Sequence, residues 1–120
     1  MAGLVRKSLN TPEETRLFED GKGVLELVNT DGGAVGRATF QPGWKSSEHV
    51  KPIAKTDSCR ASHTGYFVAG HMVVVMDDGE RMEFGPGDFM TAAPGHDAWI
   101  VGDEPCVVVD WHGFGDYAKG

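Results

Sequence analysis

The sequence predicts an all-β domain, an antiparallel sandwich or barrel of short strands, and three observations predict it. Glycine supplies 17 of the 120 residues, about twice its usual share, while valine is frequent and leucine scarce, a balance that suits strands and tight turns better than packed helices. Beyond residue 22 no stretch spaces its apolar residues as a helix would; short runs with strand character follow one another instead. Gly, Pro and Asp turn signals separate those runs, among them Asp78-Gly79, Pro86-Gly87 and Pro94-Gly95.

Taken in order, residues 1–22 carry the one helix-like signal. Thr11-Pro12-Glu13-Glu14 reads as an N-cap with proline at the first helical position, followed by Leu17 and Phe18. Residues 1–23 are therefore expected to form an arm or short helical turn, residues 24–112 the barrel, and residues 113–120 a tail. Residues 24–28 and 34–40 read as strands joined by the Asp31-Gly32-Gly33 turn. In the second, Val35, Arg37 and Thr39 alternate with Ala34, Gly36, Ala38 and Phe40, the mark of a half-buried strand. Pro42-Gly43 ends it, and about twenty polar, aperiodic residues follow, carrying Trp44, His49 and Cys59; a loop of that length inside a small domain is usually a binding element. Residues 65–76 form the next β-prone run, broken at Gly70. Asp78-Gly79 turns it into residues 81–84, and further short strands are expected at 89–93, 96–101 and 106–114.

A chain of this length forms one domain with a core of its own. A net charge of -7 and a pI near 5.1 oppose nucleic acid and anionic membranes as partners, because both require clustered Lys and Arg. No apolar run reaches the roughly 18 residues of a membrane span, and residues 1–21 lack the apolar segment of a signal peptide, so the expected location is the cytoplasm. In a reducing compartment Cys59 and Cys106 read as thiols, or as one thiol and one metal ligand, rather than a disulfide.

The order Gly70, Asp78-Gly79, Gly85-Pro86-Gly87-Asp88, Pro94-Gly95 and then a strand resembles the turn pattern of small single-domain bacterial cupins over roughly residues 24–112. The resemblance implies a double-stranded β-helix. In the cupin pattern two histidines and a glutamate precede a closing glycine, and a third histidine follows a Pro-x-Gly corner; together these side chains hold a divalent metal. With Gly70 as the closing glycine, His63 takes the place of the glutamate, Cys59 that of the second histidine and Asp57 that of the first. With Gly87 and Gly95 on the glycines of the second motif, Ala93 stands for its proline and Ala98 for its histidine. All four usual ligand positions are thus substituted.

The replacements retain donor chemistry. Cys59 and His63 are ligands for zinc or iron, His96 lies two residues before Ala98 and so shares its strand face, and His49 enters from the long loop. A metal set of His49, Cys59, His63 and His96 is the expectation, with His63 as general base and Tyr66 as acid in a metal-free variant of the site. Trp44, Phe67 and Trp99 are candidate pocket walls. Each has a plainer reading: His63 a hydrogen-bonded core histidine, His96 a rim residue, His49 an exposed loop residue, Cys59 a small buried hydrophobe, Asp57 a loop cap, the aromatics simple core. Cys106, in an apolar strand, reads as core. No serine sits in a nucleophile elbow, and no helix follows Gly85-Pro86-Gly87 to make it a phosphate cradle.

Two functions follow from these residues. One is a metal-dependent cupin enzyme, a dioxygenase, isomerase or lyase acting on a small organic molecule; the other is a non-catalytic module that holds a small ligand or a structural metal. Cupins of this size pair as homodimers, and residues 1–30 are the candidate contact.

Overall fold

The computed structural model describes residues 3–45 and 62–112, and they form nine strands in two antiparallel sheets. The strands are β1 (Glu14–Leu17), β2 (Gly23–Thr30), β3 (Gly33–Phe40), β4 (His63–Ala69), β5 (His71–Met76), β6 (Arg81–Phe84), β7 (Phe89–Ala92), β8 (His96–Val101) and β9 (Cys106–His112). Six of them make one sheet in the order β1-β2-β3-β9-β4-β7, and three make the other in the order β6-β5-β8. The all-β expectation is borne out.

The core follows from strand parity. Ala38 and Phe40 on β3, Phe67 on β4, Ala98 and Ile100 on β8, and Cys106 and Val108 on β9 all turn inward, each two residues from the next. Gly70 carries the chain from one sheet to the other with a φ of +76, and a Cβ there would lie 2.5 Å from the Cys106 Cα and from the Pro105 carbonyl oxygen. That contact with backbone explains why glycine closes the motif at this position.

The arm is the element where local sequence signals yield to tertiary pairing. Thr11-Pro12-Glu13-Glu14 opens no helix: the Glu13 N–H donates to the Leu27 carbonyl at 2.9 Å, and Glu14 to Leu17 pair with Leu27 to Val24 as the edge strand β1. So short a segment cannot repay helix nucleation, whereas β2 offers it a ladder. The helical turn that does form is a 3-10 turn at Glu19–Gly21. Phe18 is buried and stacks on Phe40 at 5.3 Å between ring centres, so it belongs to this chain's own core. Arg37 fastens the arm by donating to the Leu9 carbonyl, the Asn10 amide oxygen and Glu26.

Candidate functional site

Three polar side chains are buried together between the two sheets. His63 enters from the start of β4, Asp110 from β9 and His96 from the start of β8, which puts the three on both sheets at once. Their inward direction follows from parity: His63 shares its face with Phe67, His96 with Ala98, and Asp110 with Cys106 and Val108. Asp110 needs a further device. Thr64 pairs with His112 but Gly65 pairs with Asp110, so Trp111 is the extra residue of a bulge that sets the carboxylate beside β4. Gly65 permits this approach, since a Cβ there would lie 2.7 Å from the Val109 carbonyl oxygen.

The hydrogen bonds fix how the rings are presented. The His63 Nδ1 lies 2.9 Å from Asp110 Oδ2, and the other carboxylate oxygen accepts the His112 N–H at 2.7 Å. The His96 Nδ1 lies 2.8 Å from the Ala93 carbonyl oxygen, which only accepts, so this nitrogen carries the hydrogen. With Nδ1–H held by an oxygen in each ring, the neutral form of either histidine carries its lone pair on Nε2, the tautomer that ligates metals or accepts a proton. The rings stand edge-on, 5.5 Å between centres.

A cavity of about 30 Å3 opens among His63, His96, Asp110 and apolar neighbours that include Phe40, Trp44 and Phe67. That is room for about two waters, or the end of a small molecule. Trp44 is pinned there because its N–H donates to the Gln41 carbonyl, its carbonyl accepts the Ile100 N–H, and Lys45 makes a bridge to Trp99. Its indole Nε1 is buried without an acceptor among the described residues. An unmet buried donor costs about 1–3 kcal/mol.

The sequence expectations divide cleanly. His63, His96, Trp44 and Phe67 meet at one cavity. Tyr66 does not: it alternates with Phe67, faces outward and is 44% exposed, so its role as acid to His63 is withdrawn. Trp99 does not line this cavity either: it turns away from His96 and Ala98, with Lys45 Nζ and Arg81 Cζ 5.6 and 5.3 Å from its ring centre. Asp110 escaped the sequence reading, although an acid at an inward position of the valine-rich 106–110 run was the signal for it. His49, Asp57 and Cys59 lie outside the described residues. Cys106 is core, and burial pushes its thiol up to about 12.

Two imidazoles do not make a metal cage by themselves, and among the described residues no three His, Cys, Asp or Glu side chains converge as one. The two ring centres are 5.5 Å apart.

Comparison with known proteins agrees with this architecture. The family model of the EutQ-like cupin domain matches residues 49–109, just over half of the chain. No curated protein matches. Among solved structures, a sugar phosphate isomerase of the cupin superfamily from Silicibacter pomeroyi superposes with a TM-score of 0.61 at 20% identity, covering 88% of this chain and 73% of that one. A conserved protein with a double-stranded β-helix domain from Klebsiella pneumoniae gives 0.58 at 20% identity, over 93% and 91%. An oxalate decarboxylase from Lactobacillus farciminis gives 0.58 at 20% identity, over 87% of this chain and 32% of its own. At these identities the likeness is one of fold.

Proposed function

Since this chain belongs to the EutQ-like cupin domain family, we propose that it binds a divalent metal at His63 and His96 and acts on a small organic molecule in the cavity they line. The observation that carries this reading is the pair of Nδ1–H bonds, to Asp110 and to the Ala93 carbonyl, which orient both imidazoles for ligation. His49 and Cys59 are the proposed remaining donors, and a nitrogen and sulfur set favours zinc or iron over manganese. When bound, the metal supplies Lewis-acid polarisation of a substrate oxygen. The chain's own part is to hold the proton at each Nδ1, to exclude bulk water with the Phe40, Phe67, Met90 and Val108 walls, and to orient what enters. Two relatives of the same fold, an isomerase and a decarboxylase by name, favour isomerase or lyase chemistry.

The small cavity supports a second reading, a closed metal or ligand module without turnover. Elemental analysis of the protein purified without added metal tests the first step of both. Stoichiometric zinc or iron is expected, lost in His63→Ala and in His96→Ala; full metal in both variants refutes it. Chelation separates the readings, since a structural metal leaves with the cooperative melt, whereas a catalytic one leaves with substrate turnover and most of the fold intact. A homodimer with its contact in residues 1–30, which include the outer strand β1 of the six-stranded sheet, is also proposed, and a monomeric mass by light scattering refutes that.

A further inference from the structure

We propose that Trp44 is the anchoring donor of this site, its indole N–H taking an oxygen of the carboxylate or carbonyl end of a small ligand. The proposal rests on the reading of the cavity as the ligand site, and adds to it which group of the ligand enters and what meets it. The ring is 1% exposed and packs against Phe18 and Phe40, with centres 5.9 and 4.4 Å away, while both of its own backbone polar groups are bonded. It cannot swing out to find water. Of the polar side chains that line the cavity, His63, His96 and Asp110 have partners, whereas the Trp44 Nε1 has none among the described residues.

That asymmetry selects the ligand's chemistry. An indole nitrogen only donates, so its missing partner is an acceptor; an ammonium or guanidinium end is excluded. The remaining lining is Phe40, Phe67, Met72, Met90 and similar apolar side chains, none of which supplies an oxygen. A volume of about 30 Å3 admits only a few heavy atoms. A carboxylate or carbonyl group is a common organic fragment small enough to enter, and its oxygen accepts the indole N–H. An N–H contact onto the π face of Phe40 is the ordinary alternative use of this nitrogen, and the test separates the two.

The full chain, as purified, is labelled with 15N and titrated with formate and with formamide, an anionic and a neutral fragment of equal size. The Trp44 indole signal, assigned by subtraction using Trp99→Phe and Trp111→Phe, is expected to shift saturably while the Trp99 and Trp111 signals stay in place. Movement with formate alone identifies a carboxylate, and movement with formamide a carbonyl. Trp44→Phe, which keeps the packing ring and removes the donor, is expected to retain its metal and to weaken binding of the effective fragment about tenfold. A Trp44 signal unmoved by either fragment, or equal affinity in Trp44→Phe, overturns the proposal. Metal content is read separately, so a failed metal assignment leaves the indole shift intact and a failed donor assignment leaves the metal intact.

Discussion

Replacing Asp110 with Asn changes one oxygen into an amide and should reset the tautomer of His63. The carboxylate accepts two hydrogens on two oxygens, from His63 Nδ1 at 2.9 Å and from the His112 N–H at 2.7 Å, at a position only 1% exposed. Asparagine has a single acceptor oxygen, so its NH2 must face one of these partners. The backbone N–H of His112 cannot change its character, whereas the imidazole can. The amide oxygen should therefore stay on His112 and its NH2 turn to His63, whose hydrogen then moves from Nδ1 to Nε2. Stability loses one charge-assisted bond in a buried setting, about 2 kcal/mol, which for a domain of this size lowers Tm by about 5–10 °C. Affinity for the proposed metal should fall more in proportion, about 10–100-fold, because His63 would no longer present its lone pair at Nε2. Calorimetry gives the first quantity, competition with a chelator the second, and long-range 1H–15N spectra of the ring report the tautomer. A variant that melts like the wild type and keeps the hydrogen on Nδ1 would refute the claim that Asp110 orients His63.

Three further outcomes are expected. Gly70→Ala, which forces a Cβ onto the Cys106 and Pro105 backbone at a φ of +76, should cost at least about 3 kcal/mol in urea unfolding; a cost below about 1 kcal/mol refutes the close approach. The Cys106 thiol, raised to about 12 from an ordinary 9.0 by burial, keeps its proton in the folded chain after the unfolded chain has released it. The contribution of the neutral thiol is therefore intact below pH 9 and lost as pH rises towards 12, by about 1.4 kcal/mol per pH unit; urea midpoints compared with Cys106→Ala across that range check it, and parallel curves refute it. Tyr66→Phe and Trp99→Leu, both on outer sheet faces, should leave metal content and fragment affinity within about twofold of the wild type, and a larger loss in either restores that residue to the site.

The turns were legible because their determinants are local. Gly70, Asp78-Gly79 and Pro94-Gly95 announce changes of direction that the backbone makes at those residues, with positive φ at all three glycines. Parity also carried His63, Phe67, His96 and Ala98 to the inside. The two misplaced site residues share one fault: Tyr66 follows His63 by three positions and Trp99 follows His96 by three, a spacing that unites residues on a helix and opposes them on a strand. Asp110 was harder to find, since its partner lies 47 residues away and the bulge at Trp111 is visible only when β4 and β9 are side by side. The arm went the same way, because β1 exists only through its pairing with β2.

The placement of the imidazoles ties the chemistry of the site to the docking of the sheets. His63 and Asp110 ride on the six-stranded sheet and His96 on the three-stranded one, so the 5.5 Å spacing of the rings measures how the sheets meet. Two devices set that meeting. Gly70 joins β4 to β5 in a single residue, and the bridge from Lys45 to Trp99, with the Trp44 carbonyl on the Ile100 N–H, clips the end of β3 to β8. The clip is also what seats the indole of Trp44 at the cavity wall. A change that loosens it should therefore separate the rings and withdraw the donor together, whereas a change confined to Asp110 alters the presentation of His63 and leaves Trp44 where it is.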